Sequence, residues 1–340
     1  MNRDLKRRDP QRLKIGVLAM DGALLSSMAS SGDLLRVAQK LAEIRDPLSP
    51  PRFESVLFTA DGRDRIACCD GLEIGGLKPA PDDLDVVLVP GIMHGSTQEL
   101  SAKVDAMRAE VQFLRDLHLR GVRLAGVCSG SFLLAATGLL DGHRATTSWW
   151  LSAAFRLRFP NVRLQETELL LDEGQVLTAG ASSAIQNLLL RLIAGVGGEA
   201  LAQQTGRMLL VDTERQSQAP WISQALVERP RHSLSEKAEH FLLESLHDDI
   251  SVGQLAEACG TSERSLLRHF RSHYGMTPQA RIQHLRVERA KALLETSHLS
   301  FEEIVERCGY SDASSFRKLF KRATTLTPND YRERFRLRPH

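Results

Sequence analysis

The sequence Ser251-Val-Gly-Gln-Leu-Ala-Glu-Ala-Cys-Gly260, continued by Thr261-Ser-Glu-Arg-Ser-Leu-Leu-Arg-His-Phe270 and Thr277-Pro278, occurs in a second version further along the chain. The second version is Ser300-Phe-Glu-Glu-Ile-Val-Glu-Arg-Cys-Gly309, Tyr310-Ser-Asp-Ala-Ser-Ser-Phe-Arg-Lys-Leu-Phe320 and Thr327-Pro328. Each copy opens with a serine followed three positions later by Gln or Glu, which is typical of a capping box at a helix start. A short apolar segment then ends at a glycine, as expected at a tight turn. Each copy therefore predicts a helix-turn-helix.

The second helix of each copy has one apolar and one basic face. Leu266, Phe270 and Tyr274 recur at helical spacing and predict a buried face. The equivalent buried residues of the second copy are Phe316, Leu319 and Phe320. The opposite faces carry Arg264, Leu267, Arg268 and Arg271 in the first copy, and Ser314, Arg317, Lys318 and Lys321 in the second.

These basic faces suit DNA. From Ser262 to the C-terminus there are 16 Lys and Arg against 9 Asp and Glu, although the whole chain carries a net charge of only +2. Arg donates two hydrogen bonds to guanine, while neighbouring Lys and Arg neutralise phosphates. A single charged helix face is usually just a solvated surface. Two copies with matching caps, turns and buried aromatic residues favour recognition of double-stranded DNA.

One continuous helix is predicted between the copies, from Pro278 to Glu295, with proline at its first position. A rigid connector would hold the two recognition helices at a fixed separation. One turn of B-DNA is roughly 34 Å, so one protomer would contact successive major grooves.

Residues 233–335 resemble the AraC/XylS family of bacterial transcription regulators. The likeness rests on Gly309-Tyr-Ser-Asp-Ala-Ser-Ser-Phe-Arg-Lys-Leu-Phe-Lys-Arg322 and Leu326-Thr-Pro-Asn-Asp-Tyr-Arg332. It implies that Arg264, Leu267 and Arg268, and likewise Ser314, Arg317 and Lys318, face the bases. It also implies promoter repeats and RNA polymerase as partners. Thr325 departs from the family, which usually has glycine there to end the helix.

Length and composition predict two soluble domains. A chain of 340 residues has room for two cores. The most apolar segment, Ala184 to Val196, is interrupted by Gln186, Asn187 and Arg191, so no membrane span is expected. Residues 1–12 are predicted to be a disordered tail.

The five cysteines, at positions 68, 69, 128, 259 and 308, are too few and too scattered for a disulfide scaffold or a zinc site. Cys259 and Cys308 occupy equivalent places in the two copies and are expected to be small buried residues. We expect a reducing, cytoplasmic compartment and no metal.

The N-terminal part alternates strands and helices. Strands are predicted at 15–20, 53–59, 85–89 and 122–127, and helices at 33–45, 100–120 and 182–194. This order predicts a doubly wound α/β domain with a mostly parallel, flavodoxin-like sheet. A ligand site is expected at the carboxyl ends of its strands, where Gly91 and Cys128 fall.

The segment Ala125-Gly-Val-Cys128-Ser-Gly-Ser-Phe-Leu-Leu-Ala135 predicts a strand, a sharp turn and a helix, with a thiol at the bend. The start of the helix would favour the thiolate form of Cys128. On residue chemistry alone, Cys128 is a candidate nucleophile.

Residues 13–212 resemble the PfpI/glutamine-amidotransferase-like superfamily, in the version fused to AraC domains that is called GlxA-like. The likeness rests on Val89-Pro-Gly91, the Cys128 turn with Gly138-Leu-Leu-Asp-Gly-His-Arg-Ala-Thr-Thr147 behind it, and Arg215-Gln-Ser-Gln-Ala-Pro-Trp221. Catalytic members pair the cysteine with a histidine and often an acid. Here Ser129 and Ser148 stand at the histidine positions, and the loop Gly22 to Ser26 offers no carboxylate.

The resemblance therefore implies a sensor domain that dimerises and needs no cofactor. Its effector would be a small nitrogen compound, such as an amino acid or betaine. The pocket would be formed by Gly91, Met93, Cys128, Ser129, Ser148 and Trp149. Residues 213–232 are predicted to be the linker through which the sensor acts on the DNA-binding domain.

Three interpretations of Cys128 stay open: a pocket residue, an inert relic of the turn, or a catalyst with His94 or His143 as its base. Trp149 and Trp150 would form either an aromatic wall for the ligand or a core residue beside a dimer contact. The alternative function is a cysteine-dependent amidase or hydrolase of the PfpI superfamily with an accessory DNA-binding domain.

Overall fold

The computed structural model describes residues 11–68, 71–223 and 233–336. They form two compact units, one reaching Gln218 and the other beginning at Ala219. This division lies inside the predicted linker, residues 213–232, of which 224–232 fall outside the described residues. Residues 1–10 of the predicted tail also fall outside them, and the first strand begins at Arg12, the last tail residue.

The first unit is built on a six-stranded sheet with the order β2-β1-β5-β6-β10-β9. All neighbours are parallel except β9, which runs antiparallel to β10 at the edge. Two small two-stranded sheets, β3-β4 and β7-β8, complete the strands found in the described residues. The strands are β1 Arg12–Leu18, β2 Arg52–Phe58, β3 Arg65–Ala67, β4 Glu73–Gly75, β5 Val86–Val89, β6 Arg123–Val127, β7 Arg144–Ala145, β8 Arg163–Leu164, β9 Leu170–Asp172 and β10 Val176–Ala179.

Helices cover both faces of this sheet. Every residue of β5 and β10 is buried, which requires packing on both sides. One group of helices joins α1, α6 and α7, and another joins α2, α3 and α4. The helices are α1 Leu25–Arg45, α2 Thr97–Ala106, α3 Arg108–Leu119, α4 Gly130–Ala136, α5 Ser152–Arg158, α6 Ala184–Gly197 and α7 Glu199–Met208. The predicted doubly wound, mostly parallel fold is confirmed.

Several details differ from the sequence-based expectation. Helix α1 begins at Leu25, eight residues before the predicted start, and the short strands β3, β4, β7 and β8 and the helices α5 and α7 lie where no element was predicted. The segment 100–120 is not one helix, because Met107 leaves helical geometry (φ −82°, ψ 47°) and separates α2 from α3. In addition, β9 and β10 were not predicted. They are short, and only their pairing with each other and with β6 makes them strands.

The described part of the second unit is helical. Its helices are α8 Ser233–Glu244, α9 Val252–Ala258, α10 Glu263–His273, α11 Pro278–Thr296, α12 Phe301–Arg307, α13 Ala313–Thr324 and α14 Pro328–Phe335. The capping boxes at Ser251 and Ser300 are formed as predicted. Helix pairs α9/α10 and α12/α13 are the two helix-turn-helix elements, and Pro278 begins the predicted connector α11.

Two apolar cores fill this unit, one for each copy of the repeat. Leu266, Phe270 and Tyr274 are buried in the first, and Phe316, Leu319 and Phe320 in the second, as predicted. The connector α11 contributes Ile282 and Leu285 to the first core and residues from Val287 to Leu294 to the second. The two copies therefore share one helix. Cys259 and Cys308 are buried as expected, and burial raises the pKa of Cys308 to about 11.

Candidate functional sites

The first candidate site is the exposed face of α10. This helix begins at Ser262, whose side chain accepts a hydrogen bond from the Ser265 N–H. Burial of Leu266 and Phe270 turns the opposite face outward, where Arg264, Arg268 and Arg271 are exposed and Leu267 is half-buried. These four side chains line one continuous shallow depression together with Glu263 and Ser272. The four predicted DNA-contacting residues of the first copy therefore share one face.

The second candidate site is the matching face of α13. Asp312 caps this helix by accepting hydrogen bonds from the backbone N–H groups of Ser314 and Ser315, and these bonds lower the pKa of Asp312. Ser314, Arg317, Lys318 and Lys321 are all exposed. Arg317 also contacts α12, since its guanidinium lies 4.9 Å from the centre of the Phe301 ring and 3.7 Å from a Glu302 oxygen.

The charges on α10 are available to an external anion. In residues 11–68, 71–223 and 233–336, Arg264, Arg268 and Arg271 form no salt bridge. An α-helix fits the major groove of B-DNA, and arginine side chains on its outer face reach both guanine edges and phosphates. The two faces thus have the shape and charge that base recognition requires.

The third candidate site is the turn at Cys128, between β6 and α4. Cys128 has a left-handed backbone (φ 57°), rare for a residue with a side chain. Its N–H donates to the Ala179 carbonyl at 3.0 Å, which ties the bend to the end of β10. The sharp strand-turn-helix predicted from the sequence is present, at the carboxyl end of the sheet.

The Cys128 thiol is closed off and protonated. The residue is 3% exposed, and Ser148 Oγ donates a hydrogen bond to its Sγ at 2.9 Å. Burial raises the pKa of Cys128 and outweighs the hydrogen bond from Ser148, which lowers it. This direction is opposite to the expectation that the helix start would favour the thiolate.

The other predicted pocket residues lie at different depths. Ser129 is buried, and its hydroxyl bonds both the N–H and the carbonyl of Ile92, which joins the turn to the loop after Gly91. A Cβ placed on Gly91 would lie 3.3 Å from Cys128 Cβ and 2.5 Å from Leu24 Cδ1. Cys128 is thus brought together with Ser148 and Gly91, and Ser129 is tied to Ile92 beside them. Met93 is 41% exposed.

The tryptophans form an edge-to-face pair with ring centres 5.3 Å apart. Trp149 is buried and Trp150 is half-buried against the core of the first unit. This arrangement agrees with the predicted core position for one of them, and whether the other faces a dimer partner stays a prediction.

The histidines considered as bases have other contacts. His94 Nδ1 lies 2.7 Å from the Ile92 carbonyl. His143 is about half exposed, and its Nδ1 lies 3.6 Å from a Glu173 oxygen. The Cys128 sulfur accepts a hydrogen bond from the Ser148 hydroxyl.

A buried polar network beside Cys128 was not anticipated. Ser131 Oγ donates to Thr147 Oγ1, and Thr147 donates to the Cys128 carbonyl at 3.1 Å. Gln218, only 3% exposed, donates from its amide to the carbonyls of Thr147 and Glu166, each at 2.8 Å. A glutamine in a polar segment carries no periodic signal of burial, so the sequence does not reveal this anchor.

Just beyond Gln218, the chain is anchored within the second unit. Trp221 packs edge-to-face on Phe335, and the Arg334 guanidinium lies 4.8 Å from the centre of a Trp221 ring. The buried Lys291 of α11 donates a hydrogen bond to the Ile222 carbonyl. Residues 215–222, predicted as linker, are therefore held by packing in one unit or the other.

Within the described ranges, no group of three or more His, Cys, Asp or Glu side chains is placed to hold a metal ion. Among the helices of these ranges, none combines the length and apolar character needed to cross a membrane.

Comparison with known proteins agrees with both units. Residues 255–334 match the helix-turn-helix domain family, and residues 71–194 match the DJ-1/PfpI family. The transcriptional regulator CdhR of Pseudomonas aeruginosa is 31% identical over 327 residues, covering 93% of this chain and 90% of that protein. GlxA of Rhizobium meliloti is 29% identical, with coverages of 94% and 96%, and GbdR of P. aeruginosa is 27% identical, with coverages of 96% and 85%.

A DJ-1/PfpI domain joined to a double helix-turn-helix defines a class of DNA-binding regulators. Since the match to CdhR spans nearly the whole of both chains at 31% identity, this chain belongs to the family of HTH-type transcriptional regulators with a DJ-1/PfpI domain and an AraC-type DNA-binding domain.

Proposed function

We propose that this protein is a ligand-responsive transcription regulator that inserts α10 and α13 into neighbouring major grooves of promoter DNA. One observation carries the proposal: both copies of the repeat bury their aromatic residues and leave matching basic faces exposed. Arg264, Leu267, Arg268 and Arg271 contact the first subsite, and Ser314, Arg317, Lys318 and Lys321 contact the second. The protein acts in the bacterial cytoplasm, where it meets RNA polymerase at the promoter.

The first unit is proposed to be a non-catalytic sensor that dimerises. Its effector is a small nitrogen-containing metabolite bound at the carboxyl end of the sheet, beside Gly91, Met93, Cys128, Ser129, Ser148 and Trp149. Because Cys128 is 3% exposed and its thiol is hydrogen-bonded by Ser148, we expect the effector to bind a more open conformation. An effector shifts the equilibrium only by binding one conformation more tightly than the other.

The segment 215–222 provides a route for coupling. Gln218 bonds the Thr147 carbonyl, one residue from the thiol's partner Ser148. Three residues later, Trp221 is packed against the end of α14. We expect the predicted linker, residues 213–232, which includes this segment, to carry the effector signal to the DNA-binding domain.

The experiment that tests the proposed function is selection of DNA by the full-length protein. Genomic fragments retained by the purified protein, with and without amino acids and betaines, are sequenced. The proposal expects a recurring motif with two subsites, and occupancy that changes with one class of metabolite. Retention without any shared motif would overturn DNA recognition, and a motif whose occupancy no metabolite alters would overturn sensing.

One observation favours the alternative, an amidase or hydrolase: the left-handed turn at Cys128 has the geometry of a nucleophile elbow. Against it stand the raised pKa of the thiol and its contact with a serine instead of a base. Amide hydrolysis by the purified full-length protein that disappears in Cys128→Ser, with DNA binding unchanged, would support the enzyme. The regulator proposal expects no turnover in either form.

A further inference from the structure

The two helix-turn-helix copies are joined by more than the connector helix. Residues 246–248 lie in the loop between α8 and α9, and Leu246 belongs to the first core, yet this loop contacts both α11 and the turn of the second copy. Arg286 and Gly309 carry these contacts. Arg281, on the same helix as Arg286, and Gly260, at the equivalent turn of the first copy, are the residues with which they are compared.

Arg286 lies on α11 between the two cores. It is only 8% exposed, and its guanidinium donates to the Leu246 carbonyl at 3.1 Å and to the Asp248 carbonyl at 2.6 Å. The same guanidinium lies 5.1 Å from the centre of the Tyr310 ring, which follows the turn of the second copy. A planar, forked donor makes these contacts together, whereas lysine offers only a point charge. Arg286 therefore donates hydrogen bonds to the loop 246–248 and stacks on Tyr310 of the second copy.

Gly309 brings the turn of the second copy against the same loop. A Cβ at this position would lie 2.8 Å from the carbonyl oxygens of both Leu246 and His247. Its equivalent in the first copy, Gly260, has the same left-handed backbone (φ 64° against 75°), but a Cβ there would meet nothing within 4 Å. Both glycines serve a turn, but only Gly309 also allows close approach between the copies.

We propose that Arg286, Gly309 and the loop 246–248 form a lock that sets the relative position of α10 and α13, and so determines the spacing between the two DNA subsites that the protein accepts. This inference rests on the proposed DNA-reading function. Arg286 is a positioning residue, since its polar contacts are with carbonyl groups inside the protein. Without the lock, α11 alone would join the copies, and bending at its middle would let each recognition helix find its subsite independently.

Arg281 provides the matched control. It lies on the same helix, is 2% exposed, and pairs with Glu239 of α8 at 2.9 Å. Its guanidinium lies 5.4 Å from the Tyr274 ring. Glu239 belongs to α8, which packs on α9, and Tyr274 follows α10 of the first copy. Replacing Arg281 therefore removes a buried, stacked arginine and leaves the contacts of Arg286 with Leu246, Asp248 and Tyr310 in place.

The test measures spacing preference with full-length protein. Duplexes are first selected from a random pool by the wild type, and the two subsites are located by footprinting. Affinity is then measured for the selected duplex and for duplexes with one base pair inserted or removed between the subsites. The comparison includes wild type, Arg286→Met, Arg281→Met, Gly309→Ala and Gly260→Ala, each checked for folding by circular dichroism.

We expect the wild type to lose at least about tenfold in affinity on insertion of one base pair, because the second helix then loses its base contacts. Arg286→Met and Gly309→Ala should bind the original duplex more weakly and reduce this penalty to about threefold or less, with unchanged base preference inside each subsite. Arg281→Met and Gly260→Ala should keep the wild-type penalty.

A wild-type penalty retained in Arg286→Met and Gly309→Ala would overturn the lock. Equal loosening in the two control variants would overturn it as well, because the effect would then reflect general destabilisation. A wild type that selects no duplex at all would overturn the proposed function instead, so the two failures are distinguishable.

Discussion

Thr325 ends α13 in a left-handed conformation (φ 64°, ψ −4°), and its replacement by glycine should stabilise the second unit. The equivalent residue of the first copy is Gly275, with φ 68°. Threonine is β-branched, and left-handed geometry costs an L-residue roughly 1–2 kcal/mol. The Thr325 side chain recovers little of this, since its hydroxyl bonds only the adjacent Thr324 carbonyl and the residue is exposed.

The expected gain for Thr325→Gly is smaller than the full strain. Glycine gives the unfolded chain more freedom, which offsets roughly 0.5–1 kcal/mol. The net increase in the free energy of unfolding should be about 0.5–1 kcal/mol, or a rise of about 2–8 °C in Tm for a unit of this size. Thr325→Asn should gain at least as much, because asparagine tolerates this geometry without the added freedom.

Calorimetry of the full chain measures this change. The transition of the second unit is the one whose Tm changes when DNA is bound. Gly275→Thr is the matched control. A Cβ there would meet no atom within 4 Å, so backbone strain is the main change, and Tm should fall. A Tm lowered by Thr325→Gly, or unaffected by both substitutions, would refute the argument from backbone strain.

Three further outcomes are expected. Arg268→Ala, on the exposed face of α10, should weaken binding to a selected duplex by roughly 1–3 kcal/mol and relax base preference at one position. A gel-shift titration showing neither change would contradict base contact by Arg268. If Lys321 neutralises one phosphate, Lys321→Ala should leave base preference unchanged and reduce the magnitude of the slope of log affinity against log salt concentration by about 0.9. A salt titration of binding measures this slope. Because burial raises the pKa of Cys128, alkylation of its thiol at pH 8 should be slower in the folded protein than in urea. The alkylation rate of the folded protein should still increase with pH above pH 9. Rapid labelling of the folded protein near neutral pH, measured by mass spectrometry, would contradict a protonated thiol.

Features that depend on residues close together in the sequence were predicted well. The capping boxes at Ser251 and Ser300 depend on residues three positions apart, and the buried face of α10 depends on one helix's periodicity. The strand before Cys128 is likewise a short apolar run bounded by a glycine-rich turn. These patterns were sufficient for both folds and for the basic faces of α10 and α13.

Features that depend on distant residues were missed or misjudged. The raised pKa of Cys128 follows from burial of the thiol, which outweighs hydrogen bonds from residues that include the distant Ser148 and Ser182, and the local motif does not show that burial. Gln218 lies in a polar segment that resembles a linker, and only the carbonyls it meets make it a buried anchor. Gly260 and Gly309 look alike in the sequence, and their difference arises wholly from the loop near Leu246.

Trp221 has a practical consequence for following this molecule in solution. The chain contains three tryptophans, and the other two, Trp149 and Trp150, are adjacent in the first unit. The difference in emission between the wild type and Trp221→Phe isolates one fluorophore, packed against Phe335 and Arg334 at the start of the second unit, and leaves Trp149 of the proposed pocket unchanged. Its emission maximum and its quenching by iodide would then report, in real time, whether this short stretch of chain stays seated when a metabolite is added.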